Sequence, residues 1–304
     1  MQEHSMMDVP LMLSSILDHA AQWHGDTGVV ARRIDGSILR RSWPELRDRV
    51  LALGAGMAGL GMAQGDRVAT LCWNTMEHQE LFYGVPCMGG ILHTVNPRLS
   101  DDHIVYILNH GGARILVHDP ACAETVARIL PRLSHIEHLV WIDEGGALPE
   151  AGRPALCYEA LIAGATPAPA FPEFDERAGA VLCYTSGTTG NPKGVLRLGP
   201  SVPNRDGYNG IFDADVRVLL PTPLYHSAPN RFGIFTFHAG GELVLMPRFD
   251  PEETLRLIAR HRITAMFIVP TMFVRLLRLP EAVRARYDVS SLTDVVCAGA
   301  PCPA

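Results

Sequence analysis

Tyr184-Thr185-Ser186-Gly187-Thr188-Thr189-Gly190-Asn191-Pro192-Lys193-Gly194-Val195 gathers hydroxyls, glycines and one ammonium into a single short stretch. Thr185, Ser186, Thr188 and Thr189 offer hydroxyl donors. Gly187 and Gly190 let a backbone approach a ligand closely, and successive loop N–H groups form a concavity that holds anions. Lys193 adds a compact positive charge. These are the parts a polyphosphate requires. The spacing is not that of a Walker A loop, G-x-x-x-x-G-K-[ST], because Lys193 follows Pro192 and precedes Gly194. A solvated Ser/Thr/Gly linker is the plain alternative. Against it, the apolar run from Ala180 to Cys183 reads as a buried strand that feeds the loop directly.

Composition adds a separate argument. Of the 26 basic residues one is lysine, Lys193, and all the others are arginine. A slim ammonium and a broad planar guanidinium are not interchangeable, so a chain that otherwise uses arginine marks this position as special. Two further places could do chemistry. Tyr225-His226 follows a strand read over Val216 to Pro221, at the carboxyl end where open α/β sheets bind ligands; a His that merely caps the turn is the alternative. Gly299-Ala300-Pro301 is a strand-ending turn in which glycine permits close backbone approach. His135 and His138, with Glu137 between them, lack a third ligand and the H-E-x-x-H spacing, so no metal site is expected. The arginines from Arg275 to Arg286 read as a solvated face.

The elements that must position these residues follow from periodicity. Leu11 to Trp23 has helical spacing, and strands over Val29 to Arg33 and Ile38 to Arg41 flank Asp35-Gly36, a hairpin signal. Ser42 with Glu45 three residues on, and Pro44 in the first turn, starts a helix. Strands at Val68 to Trp73, Ile91 to Val95, Arg114 to Val117 and Leu139 to Ile142 then alternate with helices at Met76 to Cys87, from Ser100 to a stop at Gly111, and at Ala121 to Leu130. After the signature stretch, Arg197 to Gly210 reads as a polar segment. Further strands are expected at Val216 to Pro221, Glu242 to Met246, Thr264 to Val269 and Asp294 to Ala298. Helices are expected at Arg231 to His238, after an Asp250-Pro251-Glu252-Glu253 capping box, and at Thr271 to Leu279. In the capped helix Leu255, Ile258 and Ala259 are expected to form the buried face. Such alternation implies α/β architecture, parallel sheets covered by helices on both faces.

Length and charge exclude several classes. The 304 residues suffice for one large domain or two smaller ones. The net charge of −6 without a basic tract gives no invitation to nucleic acid. There is no signal-peptide pattern and no apolar run of membrane-spanning length. Seven scattered cysteines without a C-x-x-C pair read as reduced thiols, so a soluble cytoplasmic location is expected.

The stretch Tyr184 to Val195 resembles the phosphate-binding signature of the adenylate-forming (AMP-binding) enzyme superfamily. Gly65-Asp66-Arg67-Val68-Ala69-Thr70-Leu71 and Thr94-Val95-Asn96-Pro97-Arg98-Leu99 resemble the fatty-acid–CoA ligases within it. The resemblance implies an acyl-CoA synthetase: ATP activates a carboxylic acid to an acyl-adenylate, pyrophosphate leaves, and the acyl group passes to coenzyme A. It implies ATP, Mg²⁺ and coenzyme A as cofactors or co-substrates and a fatty or other lipid-like acid as substrate. By the same resemblance Thr185, Ser186, Gly187, Thr188, Thr189, Gly190 and Lys193 cradle the ATP phosphates, and Gly299, Ala300 and Pro301 lie against adenine. Tyr225 and His226 line the acyl pocket, with Lys193 and His226 as the catalytic pair. The fold so implied is the layered large N-terminal domain of these ligases. The family pattern continues past Pro301 with a Tyr-Gly-x-Thr-Glu segment, a Thr-Gly-Asp segment and a small lid domain bearing a Lys. None of these is in this sequence, and the segment after the signature is short. An AMP-binding domain over 11–304, C-terminally incomplete before the β-barrel portion and the lid, is therefore expected. Two readings follow: a ligase of which this is the N-terminal part, or an incomplete nucleotide- and acyl-binding module, which a C-terminal partner fragment would complete in a split enzyme.

Overall fold

The computed structural model describes residues 10–33, 36–142, 155–185, 191–199 and 210–301. The chain opens with α1 (Leu13–Trp23) and the antiparallel pair β1 (Gly28–Arg32) and β2 (Ile38–Ser42), followed by α2 (Trp43–Gly59). The Ser42 hydroxyl accepts the Glu45 N–H, and the Glu45 carboxylate accepts the Ser42 N–H at 2.8 Å. Two of the helix's orphan donors are thereby satisfied, as the sequence predicts.

A run of parallel units follows: β3 (Arg67–Leu71), α3 (Met76–Gly84), β4 (Ile91–Thr94), α4 (Asp101–Gly111), β5 (Ile115–His118), α5 (Ala123–Ile129), β6 (His138–Trp141), β7 (Ala155–Cys157) and α6 (Tyr158–Ala163). Then come β8 (Gly179–Thr185), β9 (Lys193–Leu198), β10 (Arg217–Leu220), α7 (Ser227–Ala239), β11 (Glu242–Leu245) and α8 (Pro251–His261). The last elements are β12 (Ala265–Ile268), α9 (Pro270–Leu277), α10 (Glu281–Arg284) and β13 (Asp294–Cys297). One sheet has the order β13-β12-β10-β11-β1-β2 and the other β7-β6-β5-β3-β4-β8-β9. All pairings are parallel except β1–β2 and β8–β9.

Alternation along the strands explains the layering. Val218 and Leu220 of β10 join a central core with Val68, Leu92, Ile115 and Val117 of the second sheet, through Leu46, Val50 and Leu53 of α2 and Phe232 and Phe237 of α7. Leu219, between Val218 and Leu220, faces the opposite way and packs with Leu257 and Ile258 of α8. Ala69 and Leu71 of β3 likewise pack with Ile104, Ile107 and Leu108 of α4 and with Val126 and Ile129 of α5. The result is helices, sheet, shared helices, sheet, helices.

Several expectations need correction. Lys193 to Leu198 is a strand, not loop, because it pairs antiparallel with β8, Thr185 opposite Lys193. The last helical residue of α4 is Gly111, as expected, but the left-handed residue that caps it is Gly112 (φ 62°); a Cβ on Gly111 would meet His93 Cε1 at 2.6 Å. In α8 the buried residues are Glu253, Thr254, Leu257, Ile258 and His261, so the face is rotated from Leu255 and Ala259. Asp250 Oδ1 caps by accepting the Glu253 N–H at 2.8 Å, but the Glu253 carboxylate pairs with Arg32 and Arg256 instead of closing a box. The pair β7 and α6 was not foreseen. His138 lies in β6, and Glu137 pairs with Arg114. Among the described residues no cluster of His, Cys, Asp and Glu could hold a metal, and no helix is long and apolar enough to cross a membrane.

Two buried histidines set the acid limit of this fold. His78 accepts or donates to Thr70 Oγ1 (3.1 Å) and the Trp73 carbonyl (2.8 Å), while neither ring nitrogen of His93 has a partner. Burial lowers their pKa values to about 4 and about 3. Unfolded, both take up protons near pH 6.5, so the unfolded state binds more protons as pH falls below that value. Stability is fully present above pH 6.5 and is lost as pH falls toward 4, by roughly 3 kcal/mol for His78 alone. Urea unfolding at pH 7 and pH 4.5 checks this, and His93→Gln should flatten part of the slope.

Candidate functional site

A cavity of about 680 Å³ opens at the carboxyl ends of β3, β4, β8, β10, β11, β12 and β13, where the two sheets meet. Parallel strands deliver their following loops to one end, which is why loops distant in sequence share this space.

Two side chains fix the seam. Asn74, just after β3 and 1% exposed, donates to the carbonyls of Leu220 (3.3 Å) and Thr222 (2.8 Å) and accepts the Leu224 N–H at 2.7 Å. Thr94, ending β4, donates to the Tyr225 carbonyl at 3.0 Å. Together they hold the turn before α7 against the second sheet and so place Tyr225 and His226 in the cavity wall. Tyr225 is buried, edge-on to Trp73 with centroids 6.3 Å apart. His226 opens to the cavity, yet the surrounding walls withdraw enough water to lower its pKa, and Arg98 lowers it further. Its imidazole is therefore neutral near pH 7, able to donate one N–H hydrogen bond and accept another.

Charge in this wall has one sign. Arg98 and Arg248 line the cavity, one guanidinium 5.3 Å and the other 4.5 Å from the ring centroid of Trp73, and no carboxylate is among the described lining residues. Trp73 is fixed through its backbone N–H, which the carboxylate of buried Asp119 accepts at 2.7 Å. A concave, largely apolar space with two cations suits an anionic ligand that carries an apolar part.

Of the residues singled out from sequence, Thr185, Tyr225, His226 and Gly299 line this one cavity. Gly299 has φ 88°, a conformation that favours glycine. Ala300 and Pro301 follow it, exposed and outside the lining. Lys193 is exposed at the start of β9 beside Pro192, which does line the cavity; its own side chain is not part of the wall. Ser186, Gly187, Thr188, Thr189 and Gly190 lie outside the described residues. Sequence reasoning missed Trp73, Asn74 and Arg248 and gave Arg98 no role. Their common signal is position just past a strand's carboxyl end.

The chain belongs to the AMP-binding enzyme family, whose model matches residues 17–304. Its relatives are acyl-CoA ligases. It is 37% identical over 310 residues to the 3-methylmercaptopropionyl-CoA ligase of Ruegeria pomeroyi, covering 98% of this chain and 56% of that protein. It is 32% identical over 306 residues to the medium-chain-fatty-acid–CoA ligase of Ectopseudomonas oleovorans, with the same coverage of 98% and 56%. The crystal structure of the N-terminal domain of FACL13 from Mycobacterium tuberculosis superposes with a TM-score of 0.80 at 24% identity, over 96% of this chain and 71% of that one. The layered α/β architecture is thus that of acyl-CoA ligase N-terminal domains, with no closed barrel among the described residues. The chain spans a little over half the length of the curated relatives it matches.

Proposed function

We propose that residues 11–304 act as an AMP-binding domain that supplies the ATP-phosphate loop and part of the acyl pocket of an AMP-forming acid–thiol ligase. Its substrate is a fatty or other lipid-like carboxylic acid. The observation that carries this reading is the cavity itself: an apolar space whose described walls bear Arg98, Arg248 and neutral His226 and no carboxylate. The names of the two relatives cover acyl groups of different size, so the reading stays at the class of acid.

In the reaction so proposed, a carboxylate oxygen attacks the α-phosphorus of ATP and the bond to pyrophosphate breaks, the electron pair leaving with pyrophosphate. Lys193 and the loop from Thr185 meet the charge that accumulates on the departing phosphates. His226 orients the carboxylate through an N–H hydrogen bond. The thiol of coenzyme A then displaces AMP from the acyl carbon. The described residues do not fit a protein-held Mg²⁺, since no carboxylate lines the wall.

A second reading is a nucleotide- and acyl-binding unit that a C-terminal partner fragment completes. ATP-dependent pyrophosphate exchange and acyl-CoA formation with fatty acids of increasing length separate the two. Turnover by this chain alone removes the second reading; ATP binding without turnover favours it; no ATP binding overturns both. Independently, Arg248→Gln is expected to weaken binding of ATP or an acyl-adenylate analogue about tenfold, since a charge-assisted contact is worth ~1.5–3 kcal/mol. Calorimetric titration checks it, and an unchanged affinity would remove Arg248 from the site.

A further inference from the structure

The strands that carry Thr185 and Lys193 run past the sheet that supports them. Pairing of β4 with β8 ends at Thr94 and Cys183. Pairing of β8 with β9 continues beyond it, Tyr184 opposite Gly194 and Thr185 opposite Lys193, and β9 is an edge strand. Of these residues Thr185, Lys193 and Gly194 are exposed, while Tyr184 is half-buried and packs against the cluster around α4. Within the overhang, the tie to the body of the domain is therefore the Tyr184 side chain.

That side chain is held from several directions. Its hydroxyl shares a hydrogen bond of 2.7 Å with Nδ1 of His110. His110 lies in the last turn of α4, its ring stacked on that of Tyr106 one turn earlier with centroids 5.4 Å apart. The buried His93 ring lies 5.3 Å from the Tyr184 ring. Gly194 leaves the space that the phenol fills, since a Cβ there would come within 3.0 Å of Tyr184 Cζ. Burial raises the pKa of Tyr184, so the phenol keeps its proton near neutral pH. Side chains alternate along a strand, so a Tyr184 ring fixed against α4 sets the direction of Thr185 and, through the pairing, of Lys193. Placement matters at such a site, where a shift of about 1 Å in a positioned group is costly.

We propose that His110 is a positioning residue. Through its hydrogen bond to Tyr184 it fixes the end of the β8–β9 pair and so sets where Thr185 and Lys193 meet the β- and γ-phosphates of ATP. The inference rests on the phosphate-binding role proposed above for those two residues. His110 acts at a distance: Tyr184 lines the cavity and His110 does not.

The test uses the full chain and titration calorimetry with ATP in the presence of Mg²⁺, and with AMP, which lacks the β- and γ-phosphates. Tyr184→Phe keeps the ring and removes the hydroxyl; His110→Ala removes its partner. Each should weaken ATP binding by about three- to tenfold, the worth of one hydrogen bond, and leave AMP binding unchanged. The double variant should bind ATP no more weakly than either single one; losses that add would overturn the pairing. His110→Asn, whose amide offers a donor and an acceptor, should restore ATP affinity when Tyr184 is present and not in Tyr184→Phe. A merely structural histidine would lower ATP affinity, AMP affinity and the melting temperature together, and that result overturns the proposal. So does an ATP affinity indifferent to Tyr184→Phe and His110→Ala in a chain where Lys193→Ala weakens it; the phosphate-binding reading then stands without His110. If Lys193→Ala also leaves ATP binding unchanged, that reading fails and this inference falls with it.

Discussion

On the proposed function, Lys193→Ala is expected to lower acyl-adenylate formation by a factor of about 10²–10³, the range for removing one preorganised donor from a site of developing charge. The side chain is exposed at the first residue of β9 and packs against no core, so the loss should appear in ATP–pyrophosphate exchange and ATP affinity while the melting temperature holds. Lys193→Arg restores the charge but spreads it over a planar fork, and should recover only part of the activity. Where the chain is assayed for binding alone, a fall of about tenfold in ATP affinity is the corresponding result. An exchange rate or ATP affinity untouched by Lys193→Ala would detach the loop from the chemistry.

The largest effect on stability is expected at Asn74. Its amide satisfies two carbonyls and one N–H at the end of the other sheet, all of them buried. Asn74→Ala leaves the Thr222 carbonyl and the Leu224 N–H without partners, at about 1–3 kcal/mol for each of these two groups, whereas the Leu220 carbonyl still accepts the Met246 N–H at 3.4 Å. Even the middle of that range, roughly 4 kcal/mol in total, is a large part of the ~5–15 kcal/mol that holds a domain together. Asn74→Asp keeps an acceptor for the Leu224 N–H yet loses the donor and buries a charge, so it should be no better. Urea midpoints measure the loss. Because Asn74 holds the turn bearing Tyr225 and His226, ligand affinity should fall in parallel; a stable variant that still binds ligand would show that the seam is fixed elsewhere.

The strand–helix alternation was legible because each parallel strand is a short apolar run and three of the helices, α2, α4 and α8, carry start signals in Ser42, Ser100 and Asp250. What failed did so for local reasons. Pro192 and Gly194 punctuate the start of β9 as they would a loop, and only pairing with β8 overrides them. Leu255 and Leu257 differ by two residues, a little over half a helical turn of rotation, and periodicity alone chose the wrong one. Ala155–Cys157 is too short for any pattern. In the site, Tyr225 and His226 were readable from their place after a strand, whereas Asn74 meets partners 146 to 150 residues away and leaves no local trace. Arg248 was one arginine among many until Trp73 gave it a neighbour.

The helices α2 and α7 have a consequence beyond the site. Because both sheets bury their inner faces against this one shared middle layer, neither could survive the loss of the other without baring its lining to water. Heating should therefore give a single calorimetric transition with equal van't Hoff and calorimetric enthalpies, and amide protons at the centres of β3 and β10 should exchange with one common opening energy.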